Sequence, residues 1–243
     1  MHTTIAKLWR TLRADGEMLV VFLGCALLAL IFLKLASEVL EGETFAIDRH
    51  IITGLRSAAD PALPIGPNWL RVMMLDITAI GDFTGLTLIT TIVTGFLIVA
   101  RKYRTAAFVA LSVIGGAILN AALKGLFGRP RPDLVAHLVE VTDTSFPSGH
   151  AMNSAVVFLT LGALLARTQE KRAVRIYLIA VAILLTLAVG ASRVYLGVHW
   201  PSDVIAGWCV GATWASLCWI AARFLQRRDG IEAPGEEAPP PAP

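Results

Sequence analysis

The chain has 243 residues, 56% of them hydrophobic and 16% charged, with a mean hydropathy of +0.67. Soluble domains carry about 25% charged and about 45 to 50% apolar residues, so this composition excludes an ordinary soluble domain along with disordered, collagen-like and disulfide-scaffold chains. Twenty-one Lys and Arg against eighteen Asp and Glu leave a net charge of +3, too small a bias for a nucleic-acid-binding surface.

A helix needs about 20 residues to cross a hydrocarbon layer about 30 Å thick, and six stretches qualify once the polar residues at their ends are counted. The first is Met18 to Leu33, continuing past Lys34, whose amine can snorkel to the interface. Phe83 to Ala100, Thr105 to Leu123, Ala151 to Ala166, Ile176 to Ser192 and Val204 to Ala222 follow. The expected fold is all-α: a polytopic membrane protein with six transmembrane helices over 18–226, a cytoplasmic N-terminus over 1–17 and a disordered, acidic, Pro-rich cytoplasmic tail over 227–243. A signal peptide is the rival reading of the first stretch, but Lys34-Leu35-Ala36-Ser37-Glu38 gives no clean small-x-small cleavage site. Cys25, Cys209 and Cys218 lie in apolar runs and read as small hydrophobes.

Between the first two stretches, Glu41 to Asp82 is too long to be only a connector. Ile47, Ile51, Ile52 and Leu55 recur at helical spacing while Asp48, Arg49 and Arg56 fall elsewhere, which predicts a short amphipathic interfacial helix. Asp60 to Pro67 breaks any helix, and Trp69 is placed as an interfacial anchor. This loop is expected to shape lipid access.

Lys and Arg set the orientation. Thirteen cations fall in four segments: Lys7, Arg10 and Arg13; Arg101, Lys102 and Arg104; Arg167, Lys171, Arg172 and Arg175; and Arg223, Arg227 and Arg228. Those segments are expected to be cytoplasmic, both termini included. The opposite side carries Arg49, Arg56 and Arg71, together with Lys124, Arg129, Arg131 and Arg193, four cations that break the rule.

These four belong to three clusters on the outer face: Lys124 to Pro132, Ser145 to His150, and Ser192 to Asp203. Singly, each can be read as something ordinary: snorkelling cations, a turn before a helix, or a hydrogen-bonded His–Asp pair. Jointly they gather cations, two histidines and a carboxylate at one membrane face, where charge marks function. Phosphoryl transfer fits, because it demands positioning and charge stabilisation. Lys124, Arg131 and Arg193 supply positive charge for non-bridging oxygens, and Arg can grip two at once. Pro130 and Pro132 hold the Arg131 segment extended. Ser148 and Gly149 open a helix whose first amides form an anion site, with Gly149 allowing close backbone approach. His199 just precedes Pro201, which suits a first helical position. With Asp203 holding one ring nitrogen, the other can attack phosphorus, and His150 can protonate the leaving oxygen. Arg129 keeps two readings, a contact to a second phosphate or a solvent-facing charge.

The chain resembles the type 2 phosphatidic acid phosphatase family. That family's pattern is Lys, six residues, Arg-Pro; then Pro-Ser-Gly-His; then Ser-Arg, five residues, His, three residues, Asp. Lys124, Arg131-Pro132, Pro147 to His150, Ser192-Arg193, His199 and Asp203 match it, and the likeness spans roughly Thr11 to Gln226. The resemblance implies His150 as general acid, His199 as nucleophile and Asp203 as its orienting partner, with Lys124, Arg131, Ser148, Gly149 and Arg193 binding phosphate. It implies no metal or other cofactor. The implied substrates are lipid phosphates such as phosphatidic acid, phosphatidylglycerophosphate or undecaprenyl pyrophosphate, met at the outer side of a bacterial inner membrane, with membrane lipids around the protein and neither nucleic acid nor an obligate protein partner. Alternatives are a lipid phosphotransferase using the same site, a non-enzymatic transporter or membrane scaffold, and the related vanadium haloperoxidases, which are soluble and disfavoured by six spans.

Overall fold

The computed structural model describes residues 2–42 and 46–227, with side chains from residue 16 onward except those of 17 and 227. The tail beyond residue 227 and the side chains of Lys7, Arg10 and Arg13 therefore lie outside the described residues. Eight helices follow in order among the described residues: α1 (His2–Leu40), α2 (Ala46–Gly54), α3 (Asn68–Ile80), α4 (Phe83–Val99), α5 (Tyr103–Phe127), α6 (Gly149–Arg167), α7 (Arg172–Tyr195) and α8 (Pro201–Arg227). Five are long and apolar enough to cross a membrane, and α3 with α4, bent by 51° at their break, makes a sixth when the pair counts as one span. Leu19, Phe22, Leu23, Leu27 and Leu30 stand exposed on α1, an arrangement that suits lipid and not water.

The structure differs from the sequence reading between α1 and α4. The sequence reading assigns no element to 68–80, only an interfacial anchor at Trp69, and Arg71 and Asp76 interrupt the apolar pattern there, yet α3 forms. Its Leu70, Met74 and Leu75 pack on Tyr195, Leu196 and Val198, and Ile77 packs against the core that includes Val189. Tertiary burial supplies what the local pattern lacks. The amphipathic helix expected around Ile47 to Leu55 appears as α2, but its polar side is only partly solvated: Arg49, His50 and Thr53 are exposed while Asp48 is not. Asp48 is 1% exposed and Ile52 is buried against Val135 and Trp200, whereas Ile47 faces outward. Arg56 is also buried, donating to the Tyr195 carbonyl at 3.0 Å and the Ala136 carbonyl at 3.2 Å. A polar face covered by protein has the same sequence pattern as one covered by water.

α6 sits at the centre, packed against α7, α8 and α5. Its approach to α8 depends on Gly207 and Gly211, one turn apart: a Cβ on them would stand 2.6 Å from the Ser148 carbonyl oxygen and 2.5 Å from that of Met152. Small residues at this spacing let two helix backbones touch. The contact sets the starts of α6 and α8 side by side, and the Ser148 amide donates to the Asp203 carbonyl at 3.0 Å. α1 closes the other flank of α8, with Ala36 and Val39 packed around Ala206 and Phe146. The ends of α5 and α7, the starts of α6 and α8, and segment 128–148 thus meet at one end of the bundle.

Candidate active site

His199 lies in the short turn between α7 and α8 and is 1% exposed. Pro201 takes the first position of α8, where its missing N–H costs no helical hydrogen bond. Asp203, two positions later, reaches back so that its Oδ2 accepts the Trp200 amide at 2.8 Å, the carboxylate half of a capping box. The same oxygen accepts the Ser145 hydroxyl and stands 3.5 Å from His199 Nδ1. The opposite ring nitrogen, Nε2, is 3.1 Å from Nη1 of Arg131. Burial pushes the imidazole down to about 4, against the opposing hydrogen bond and charge of Asp203 and with help from the charges of Arg131 and Arg193. A neutral ring, oriented at one nitrogen and turned toward cations at the other, is the state a nitrogen nucleophile needs.

The cations come from three elements. Pro130 and Pro132 each bias the residue before them toward extended backbone, and residues two apart in an extended segment share a face. Arg129 and Arg131 accordingly point to the same unit, Arg129 to Asp203 and Arg131 to His199. Arg131 is braced by the Val198 carbonyl at 2.6 Å and the Asp143 carbonyl at 2.8 Å. Lys124, in the last turn of α5, and Arg131 both pair with the carboxylate of Asp143. Burial works to raise that carboxyl, but the hydrogen bonds and charges of Lys124 and Arg131 prevail and hold it at about 2. Arg193, 4% exposed near the end of α7, gives Nη1 to the Thr78 hydroxyl on α3 at 3.0 Å.

Ser148 is fully buried as the N-cap of α6, and its Oγ has no hydrogen-bond partner among the described residues. Arg193 Nε is buried and unpaired in the same way. Gly149 brings the start of α6 against α5, where a Cβ would meet Asn120 Nδ2 at 3.0 Å. His150 follows in the first turn, its Nε2 3.5 Å from Asp82 Oδ1. Lys124, Arg131, Arg193 and His199 are near enough to act on its charge. Every site residue expected from the sequence therefore comes to one end of the bundle: His150, His199, Asp203, Lys124, Arg131, Ser148, Gly149 and Arg193. Among the described residues no group of three or more His, Cys, Asp or Glu is arranged to hold a metal ion.

The sequence reading assigns no role to Asp48, Thr78, Asp82, Asp143 or Ser145. Asp143 and Ser145 had a signal, since they immediately precede Pro147 to His150. Asp82 had a weaker one, as a lone carboxylate at the head of an apolar run; its side chain makes no cap hydrogen bond to α4 and is left for His150. Asp48 and Thr78 had none. Arg129 takes neither of its two expected roles: 6% exposed, it pairs with Asp203 at 2.6 Å and with Asp48 at 3.3 Å.

The family model of the PAP2 superfamily matches residues 105–227. Phosphatidylglycerophosphatase B of Bacillus subtilis is 33% identical over 187 residues, 76% of this chain and 87% of that protein. An undecaprenyl-diphosphatase of Sulfolobus acidocaldarius is 42% identical over 76 residues, 31% of this chain and 32% of that protein. The crystal structure of a transmembrane PAP2 type phosphatidylglycerolphosphate phosphatase from Bacillus subtilis aligns with a TM-score of 0.73 at 30% identity, covering 84% of this chain and 98% of that one.

Proposed function

The chain belongs to the PAP2 superfamily, and from that membership we propose that it is an integral-membrane phosphatase hydrolysing a lipid phosphate ester or diphosphate through a phosphohistidine on His199, at the outer membrane face. The observation that carries this reading is the His199 ring, with Asp203 3.5 Å from Nδ1 and Arg131 3.1 Å from Nε2. In the first step Nε2 attacks phosphorus, the bond to the lipid oxygen breaks, and His150 gives that oxygen a proton. In the second, water attacks the phosphoryl group while His150 takes its proton back, and the phosphorus–nitrogen bond breaks to release phosphate and neutral His199.

Lys124, Arg131 and Arg193 offset the charge on the phosphoryl oxygens, the main demand of this chemistry. Ser148 Oγ and Arg193 Nε are buried donors without protein partners among the described residues, and such donors cost free energy until an acceptor arrives. A lipid tail has a matching groove of about 500 Å³ between α4 and α5, lined by Phe83, Thr87, Thr91, Val113, Ile114 and Ala117. It begins next to Asp82, the partner of His150. The outer-face assignment rests on the cation distribution.

The test is phosphate release from a panel of lipid monophosphates and diphosphates by the purified protein. His199→Ala is expected to abolish turnover, and Arg193→Ala to lower the rate by about 100- to 1,000-fold, as loss of one donor in a preorganised site does. A near wild-type rate in His199→Ala would remove it as the nucleophile. No phosphate release from any lipid would turn the reading toward a non-enzymatic role.

A further inference from the structure

Asp48 comes from α2, 154 residues before Ser202 in the chain, yet it completes the start of α8. Its Oδ1 accepts the Ser202 amide at 2.9 Å, and its Oδ2 accepts the Ser202 hydroxyl and lies 3.3 Å from Arg129 Nη2. Arg129 turns Nη1 to Asp203 Oδ1 at 2.6 Å and to Ser202 Oγ at 2.8 Å. The Ser202 hydroxyl thus accepts from Arg129 and donates to Asp48, a use of its single proton that needs no alternative geometry. The second oxygen of Asp203 is the one that faces His199. Asp48, Arg129, Asp203 and His199 form a continuous chain, all of them 6% exposed or less.

The order of charges in that chain matters. If Arg129 paired with Asp203 alone, its full charge would draw down the negative potential that Asp203 presents to the imidazole. A second carboxylate on the other arm of the guanidinium fork divides that charge, and two anchored arms fix the plane of the fork. We infer that Asp48 is a positioning residue for phosphoryl transfer: through Arg129 it sets the orientation and effective charge of Asp203, which in turn holds His199. The inference rests on the reading of His199 as nucleophile. It also makes α2 part of the catalytic assembly and not merely a helix on the membrane surface.

The competing role for Asp48 is that it only caps α8, because the Ser202 amide is one of the first helical N–H groups that lack an intrahelical partner. Asparagine keeps a capping oxygen and removes the charge, so Asp48→Asn separates the two. The charged and titratable groups that act on His199 are Asp203 on α8, Arg131 on segment 128–148, Arg193 on α7 and His150 on α6. None of them changes in this variant.

The experiment is kcat, KM and the acid limb of kcat/KM for the full chain in mixed micelles with a short-chain lipid phosphate. Asp48→Asn is expected to lower kcat by about 10- to 100-fold, the usual worth of an outer partner, with KM unchanged. It moves the acid limb down by about 0.5 to 1 pH unit, because less negative charge reaches the ring. Arg129→Gln moves the limb up, since Asp203 then acts on the ring undiminished, and the double variant keeps the limb of Arg129→Gln, because Asp48 acts through Arg129; a double variant displaced from Arg129→Gln overturns that route. Limb position does not depend on the fraction of active protein, so partial misfolding does not hide it. Limbs that stay fixed, or that move the same way in both single variants, overturn the inference. If Asp48→Asn cannot be purified folded, Asp48→Glu decides, since it keeps the charge and moves the carboxylate: a lowered kcat at unchanged KM supports the positioning role, and a wild-type kcat overturns it. Activity surviving in His199→Ala would instead sink the underlying nucleophile reading, whereas an inactive His199→Ala with immobile limbs sinks only the role of Asp48.

Discussion

Asp143 pairs with Lys124 and Arg131, the two cations proposed to meet the substrate phosphate. Held at about 2, it is anionic near neutral pH, and on the proposed reading it would compete with the substrate phosphate for the two cations. Its side chain is 57% exposed, so each pairing is worth only what an exposed ion pair is, about 0.2 to 1 kcal/mol. Asp143→Asn is therefore expected to tighten competitive inhibition by inorganic phosphate by at most about fivefold per pairing lost; weaker inhibition would show instead that Asp143 orients the cations for substrate. The acid limb of activity is a second test at this scale. Burial first, then the cations, keep His199 near 4 against the pull of Asp203. The ring stays neutral well below the ordinary histidine value of about 6.5, so if His199 is the nucleophile as proposed, the acid limb of kcat/KM is expected between 4 and 6, and a limb at or above 6.5 would contradict the dominance of burial. The same shift has a stability sign. The fold disfavours the protonated ring, so the contribution of His199 is fully present above about 6.5 and is lost as the pH falls toward 4.

The elements show why some of the site is readable from sequence and some is not. Lys124, Arg131, His150 and His199 stand at the ends of apolar runs, where a polar side chain is costly unless it has a partner or a task, and the short spacings inside each cluster survive folding. Asp48 and Asp203 meet only through tertiary packing of α2 on α8, and no period in either segment records that. α3 is hidden from the sequence pattern for a related reason: its apolar face is completed by Tyr195, Leu196 and Val198 of a distant turn. The lipid-access role expected for the first outer loop must now be tested without disturbing Asp48, since deleting Ile47 to Leu55 removes both. Ile47 and Ile51 are 64% and 38% exposed on the outer side of α2. Ile47→Ser with Ile51→Ser is expected to lower activity on long-chain substrates in vesicles while leaving a short soluble phosphate ester unaffected. Equal loss on both substrates would make this face structural.

For the whole molecule, the useful fact is how few charges it carries and how they divide. The eight-helix arrangement puts Lys124, Arg129, Arg131 and Arg193 together at one end, each paired with or close to an acidic group or His199. The thirteen cations of the other segments have no such focus in the sequence. The positive-inside rule should therefore discount the first group, and the remaining thirteen cations then give the expectation that the site lies outside and the C-terminal segment in the cytoplasm. An even number of spans, five helices plus the bent pair α3–α4, is also what both termini on one side require. The check is labelling with a membrane-impermeant maleimide in cells whose chain has Cys25, Cys209 and Cys218 replaced by Ala. Ala62→Cys, on the exposed stretch between α2 and α3, is expected to react from outside, and Ala238→Cys only after permeabilisation. The reverse pattern would turn the protein over, and with it the side on which its lipid phosphate must be presented; reaction of both from outside would mean an odd number of spans and would split α3 from α4.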